Sequence, residues 1–308
     1  MIHGLPLRWT LALGAAAVVL LAALAFGSAG WDTALVLALR LPRVLAAAGV
    51  GALLALAGLV MQVLLRNPLA DPYVLGTSGG ASVGALAALL IGTHVWLGAG
   101  LGALGAGGLL LLLARRALAS TDEASPRLIL VGAMLAALFG ALATLLLMMT
   151  PDERLRGAIF WLVGDLSAAR DGGVCSAAAG LLLAILIVRG RPIDRLMLGS
   201  EAAGLLGEPV RRLRVELLAA ASMAVGLAVA TAGAVGFVGL VVPQAWRLAG
   251  VQHTRELAGL SAVGGATLLV AADLISRTIA APMELPVGAV MALLGAPCFI
   301  ALLVRGVR

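Results

Sequence analysis

The stretch from Leu217 to Trp246, LLAAASMAVGLAVATAGAVGFVGLVVPQAW, holds no charged side chain. A helix needs about 20 apolar residues to cross a bilayer, so this run is too long for one crossing. It is also broken around Gly233, Gly236, Gly239 and Pro243, residues that interrupt a helical pattern. The reading is two membrane helices meeting at a tight turn, the first beginning near Arg214. In lipid such a turn persists only where its backbone polar groups are satisfied by protein.

The rest of the chain agrees with a lipid solvent. Of 308 residues, 62% are hydrophobic and 12% charged, half the charge of an ordinary soluble domain, and the mean hydropathy is +1.11. Aromatics make up 4%, too few for the girdles of a transmembrane barrel. All 21 basic residues are Arg. Without Lys there is no phosphate-binding P-loop and no Schiff base, so any ATP must be bound by another subunit. The net charge of +6 is scattered between apolar runs and does not form a nucleic-acid face. Cys175 and Cys298 stand alone, without ligand spacing to a second Cys or His.

Charge-free runs extend over Trp9–Trp31, Val44–Leu65, Pro72–Ala114, Leu128–Pro151, Gly172–Val188, Leu217–Trp246, Leu257–Ala272 and Leu285–Val304. Pro72–Ala114 is two helices long, with a break near Gly92, His94 and Gly98, and Leu217–Trp246 is also two. The expected fold is all-α and polytopic, one domain over residues 1–308 with ten transmembrane helices. With both termini on one side, that side holds fifteen Arg. The other holds six: Arg40, Arg43, Arg154, Arg156, Arg170 and Arg277. The positive-inside rule then makes both termini cytoplasmic and residues 189–214 a cytoplasmic loop. The first run exceeds a signal-peptide core and is expected to be retained.

Several motifs have a bland reading that outweighs a chemical one. Gly100, Gly102 and Gly105 fit a dinucleotide-binding count, but no strand precedes them, and small residues in lipid serve close helix packing. GTSGGASVG, Gly76 to Gly84, reads as a close-packed helix start. His3, His94 and His253 lie in loops or termini with no second ligand nearby, so no metal site is expected. Asp273 is the one carboxylate deep in a helix. With Arg277 at i+4 it reads as an ion pair before it reads as a proton site. Tyr73 is expected at the cytoplasmic end. Within 189–214, MLGSEAAGLLGEPV reads as a short surface helix or a plug for a cytoplasmic partner.

Specific strings go further. Arg40, Leu41, Pro42 and Arg43 precede the second helix; Asn67, Pro68, Leu69, Ala70, Asp71 and Pro72 follow it, with Leu75, Gly76 and Ser78. Later come Leu198 and Gly199 with Leu206 and Gly207, AGAVGFVGLVVP (Ala232–Pro243), Ala272 and Asp273 with Arg277, ELPVG (Glu284–Gly288) and LGAP (Leu294–Pro297). In this order and over nearly the whole chain they resemble the permeases of binding-protein-dependent ABC importers for cobalamin, haem and ferric siderophores.

The resemblance implies a transport subunit of the bacterial inner membrane and not an enzyme. It implies a homodimer with the path on its two-fold axis, two cytoplasmic ATPase subunits that bind ATP and Mg, and a periplasmic binding protein; this chain holds no cofactor. It places Asn67 and Leu69 at the cytoplasmic gate. Leu198, Gly199, Ser200, Glu201, Ala202, Ala203, Gly204, Leu205 and Leu206 match its coupling helix, and Arg40, Arg43 and Arg277 match arginines that receive binding-protein glutamates. Gln244 stands where the family commonly has His, Ser200 where it has Glu, and His253-Thr254-Arg255 where it has Asp-His-Arg. The segment TPDERLRGAIFWLVGDLSAAR, with Trp161, Gly164 and Asp165, leans toward cobalamin over haem. The rival reading is an ion-coupled secondary transporter, which wants several intramembrane acids where only Asp273 is available. A membrane-embedded hydrolase wants a His on a facing helix, and none is expected there.

Overall fold

The computed structural model describes residues 5–27, 36–119, 126–167, 169 and 172–306; His3, Trp31 and Arg170 of the reading above lie outside them. Every regular element described is helical. α1 (Leu5–Ala25) is followed by a π-helical turn, Val36–Arg40, that runs into α2 (Leu41–Leu64). A 3-10 turn (Pro72–Leu75) leads to α3 (Thr77–Ile91), α4 (Val95–Ala119) and α5 (Pro126–Met148). Then come α6 (Asp152–Val163), α7 (Gly172–Val188), α8 (Gly190–Met197) and α9 (Ser200–Leu205). The chain closes with α10 (Val210–Ala232), α11 (Val238–Leu248), α12 (Thr254–Thr278) and α13 (Val287–Gly306).

Among the described residues six helices are long and apolar enough to cross a membrane: α1, α2 with its π-turn, α4, α5, α10 and α12. α7 and α8 make a further span only if counted together across a 67° bend, and α3 and α13 are shorter apolar helices.

α2 is the core. A helix apolar on every face must be enclosed by others, and every residue from Gly49 to Leu64 is buried, with α12, α7, α10 and α11 packed around it. Lipid supplies little hydrophobic force between helices, so contact depends on close backbone approach. Gly51 of α2 and Gly265 of α12 meet so closely that a Cβ on either would strike the other's carbonyl oxygen, and Gly84 of α3 and Gly98 of α4 repeat the arrangement. The outward faces are apolar too, with Met148 78% and Leu101 70% exposed.

The break read in Leu217–Trp246 is present, but shorter than expected. α10 stops at Gly233 (φ 67°, ψ −161°), and Phe237 adopts the left-handed region (φ 70°) before α11 begins. Gly239 and Pro243 are not in the turn; they lie inside α11. Pro243 has no N–H, so the Gly239 carbonyl has no donor four residues on. Gln62 Nε2 donates to it instead, at 3.2 Å.

A second correction concerns the segment after α2. The backbone turns at Arg66 (φ 46°) and returns alongside α2, because Pro72 packs on Gly239, which in turn lies against Leu54. Gly239 also lies against Gly58, and Gly58 and Leu54 are about 9 and 15 Å of helix from the end of α2, so Tyr73 is set back from that end. Its hydroxyl donates to the Val235 carbonyl (2.9 Å) and accepts from the Val235 N–H (3.0 Å). One side chain thus satisfies both polar groups of a residue in the α10–α11 break, at a depth where water is not on hand to do so.

Candidate functional site

Three groups of residues singled out by the sequence occupy three separate places. The first is the loop after α2. The Asn67 N–H donates to the Gln62 carbonyl (3.1 Å), and Asn67 Oδ1 accepts from the Leu69 N–H (2.9 Å), an Asx turn that fixes the loop locally. Leu69 is left exposed. Asp71 Oδ1 caps the following 3-10 turn by accepting from the Tyr73 N–H (2.7 Å). Gln62, which sequence reasoning missed, joins these parts. Its backbone holds Asn67, its amide donates to Gly239, and its Oε1 accepts from Arg247 Nη1 at 2.7 Å. The signal was available: a Gln buried in an apolar helix needs partners, and Pro243 leaves one free.

The second group is the 198–206 segment. It is not one helix: Leu198 and Gly199 (φ 124°) separate α8 from the six-residue α9. Ser200 and Ala203 turn inward and are buried. Arg214 Nη2 of α10 donates to Ser200 Oγ at 2.6 Å, and the Glu208 N–H donates to the Ala203 carbonyl at 3.0 Å. Arg195 and Glu208 form an ion pair across the segment at 2.5 Å. Leu198, Leu206 and above all Leu205, 86% exposed, face outward with Glu201 and Gly204, while Ala202 is half-buried. The segment therefore divides into an inner edge anchored to a long helix and an outer edge of leucines with Glu201 among them.

In the third group Arg43 and Arg277 meet at Asp273, which is fully buried, and Arg40, itself buried, is turned to the end of α1. Arg43 Nε donates to Asp273 Oδ1 and Arg43 Nη1 to Glu284 Oε2, both at 2.8 Å. Arg277 Nε stands 3.3 Å from Asp273 Oδ2 and its Nη2 donates to the Ala23 carbonyl. Arg40 Nη1 donates to the Leu24 and Ala25 carbonyls, each at 3.1 Å. Asp273 is thus an ion-pair carboxylate, as the i+4 spacing suggested, but Arg43 makes its shorter contact. These guanidiniums tie α1, α2 and α12 together within this chain. Glu284 belongs to the ELPVG string, yet only the fold brings it to Arg43.

Long apolar helices around a buried central helix, breaks stitched together by side chains, and polar segments at the helix ends define a multi-pass helical membrane protein. The FecCD transport family matches residues 7–305, and the chain belongs to that family. It is 41% identical over 293 residues to the uncharacterized ABC transporter permease protein YvrB of Bacillus subtilis, covering 91% of this chain and 82% of that one. It is 44% identical over 278 residues to the vitamin B12 import system permease protein BtuC of Vibrio cholerae, covering 88% and 83%. A transporter assigned to the metal-chelate type and solved in an inward-facing conformation superposes with a TM-score of 0.87 at 28% identity, over 96% of this chain and 97% of that one. PsaBC from Streptococcus pneumoniae shares the fold, with a TM-score of 0.62 at 16% identity over 85% and 90%. YvrB and BtuC carry the names of transport-system permeases, and as a member of the same family this chain is a transport component and not an enzyme.

Proposed function

We propose that this chain is the membrane subunit of an ATP-driven importer that passes a metal chelate from a periplasmic binding protein to the cytoplasm, with cobalamin favoured over haem or a ferric siderophore. The observation that carries the reading is the 44% identity to a vitamin B12 permease over 88% of the chain. In this reading the whole of 1–308 is one permease domain in the bacterial inner membrane, with both termini and residues 189–214 cytoplasmic. Ten crossings result when α3, α7, α11 and α13 are added to the six long helices. Two copies enclose the path, each with one ATPase subunit that binds ATP and Mg; this chain binds no cofactor.

Asn67 and Leu69 form the gate, and the outer edge of α9, with Leu198, Leu205 and Leu206, sits in the ATPase. Arg214, through Ser200, holds that segment to α10, so a push on α9 reaches the membrane as a rigid-body movement. Arg40, Arg43 and Arg277 dock the binding protein in this reading. Incoming glutamates must compete with Asp273 and Glu284 for Arg43, and with Asp273 for Arg277. The deciding experiment reconstitutes the chain with its ATPase and binding protein and measures uptake of cobalamin, haem and a ferric siderophore. ATP-dependent cobalamin uptake supports the reading; uptake of another chelate alone reassigns the cargo, and uptake without ATP rejects it.

A further inference from the structure

The His253-Thr254-Arg255 string, one of the places where the sequence departs from the family pattern, opens α12. The first N–H groups of a helix have no partner within it, and His253, at the N-cap position, makes no side-chain bond to them. The cap comes from another helix. Asp194 of α8 accepts through Oδ1 from the Thr254 N–H (2.9 Å) and from the Thr254 hydroxyl (2.5 Å), and Thr254 is buried. One residue on, Arg255 Nε donates to the Ile187 carbonyl in the last turn of α7 (2.9 Å). A Cβ on Gly190 would strike the Arg255 side chain, so the two pass in close contact. α7 and α8 meet at a bend of 67°. Thr254 thus holds one arm of that bend and Arg255 the other.

Both ends of this attachment lead to places the function needs. α8 passes into α9 through Leu198 and Gly199 alone, so the setting of α8 sets the direction of α9. α12 runs without a break or an internal proline from Thr254 to Thr278. Asp273 stands on it about 28 Å of helix from Thr254, paired with Arg277 of the same helix and with Arg43. The Ser200–Arg214 bond ties α9 to α10, which ends at the Gly233 break. The Asp194 bonds instead tie α8 to the helix that carries Arg277. We propose that Asp194 is a positioning residue: it fastens the ATPase-facing segment to α12, so that movement of α9 reaches the Asp273–Arg277 end and alters the hold on the binding protein. This rests on the importer reading above, which supplies the ATPase at α9 and the binding protein at the far end.

The test uses the complex of this chain with its ATPase in nanodiscs and measures the Kd of the binding protein before and after the ATPase is trapped with ATP and vanadate. In the unsubstituted complex trapping should change that Kd by about five-fold or more, the lower end of ordinary coupling between distant sites. Asp194→Ala removes both bonds and should reduce the change to less than about two-fold, close to no coupling. Co-purification of the ATPase and basal ATP turnover should stay as in the parent. Asp194→Asn keeps an acceptor oxygen for Thr254 and should restore the change, and Thr254→Val, which loses the hydroxyl bond but keeps the N–H bond, should fall between. A full change in both Asp194→Ala and Thr254→Val would overturn the link. So would an Asp194→Asn complex as impaired as Asp194→Ala, a Kd that trapping leaves unmoved in the parent, or failure of both Asp194→Ala and Thr254→Val to assemble, which would make Asp194 a folding residue. A parent chain that neither retains an ATPase nor holds the binding protein would overturn the importer reading itself, and the link with it.

Discussion

Gln62 of α2 supplies to Gly239 the hydrogen bond that Pro243 withholds from its own helix. The same side chain accepts from Arg247 one turn on, and its backbone carbonyl holds Asn67. A single buried amide therefore connects the core helix, the kinked α11 and the loop proposed as the gate. Any movement of α11 relative to α2 must break or carry these bonds.

Gln62→Leu should accordingly leave two buried partners unsatisfied, at about 1–3 kcal/mol for each such group. Thermal unfolding in detergent should show a clear fall in Tm. Gln62→Glu keeps an acceptor for Arg247 while losing the donor to Gly239, so its Tm should lie between the two. A Gln62→Leu protein as stable as the parent would show that Gly239 finds another donor.

Arg43→Ala leaves fully buried Asp273 with Arg277 alone, and breaking a buried pair from one side typically costs about 3–5 kcal/mol. We expect low yield and a lowered Tm, with much of the loss recovered when Asp273→Leu is added to Arg43→Met. Because the network is structural, docking is better tested with Arg40→Ala, which leaves the Arg43–Asp273–Arg277 set intact. Affinity for the binding protein should fall while co-purification with the ATPase persists. Unchanged affinity would reduce Arg40 to an anchor for the α1 carbonyls.

Gly204→Trp adds bulk where a Cβ meets nothing within the chain, so the bundle should fold normally. If the outer edge of α9 is seated in the ATPase, the variant should lose ATPase association or hydrolyse ATP without uptake. Normal uptake with normal turnover would remove α9 from the coupling path.

Topology is tested by single cysteines in a background with Cys175 and Cys298 replaced. A cysteine at Arg195 should react with an impermeant thiol reagent only from the cytoplasmic side, and one at Asp152 only from the periplasmic side. Labelling of Arg195 from outside would invert the proposed orientation.

The membrane class, the helical fold and the break between α10 and α11 were legible along the chain, because in lipid a helix must satisfy its own backbone and its apolar length is written locally. The absence of Lys ruled out a P-loop in this chain by the same local reading. The i+4 spacing of Asp273 and Arg277 gave one of the ion pairs for the same reason. Position within the bundle was not legible in this way. Pro243 reads locally as part of the turn because proline usually marks one, whereas it lies inside α11 and its missing hydrogen bond is met by a residue far away in sequence. Tyr73 reads locally as a helix-end residue because nothing nearby in sequence shows that the chain folds back beside α2 to reach Val235.

What the sequence by itself determined is the all-helical membrane class, the long apolar stretches and the family strings, all of which follow from short-range spacing and composition. What only the tertiary structure decided is which distant groups meet: Arg43 with Asp273 and Glu284, Gln62 with Gly239 and Arg247, Arg214 with Ser200. Buried polar atoms in a membrane bundle must find partners wherever packing places them. That packing is set by glycine contacts such as Gly51 on Gly265, where two helices touch through backbone and leave no side-chain pattern to read.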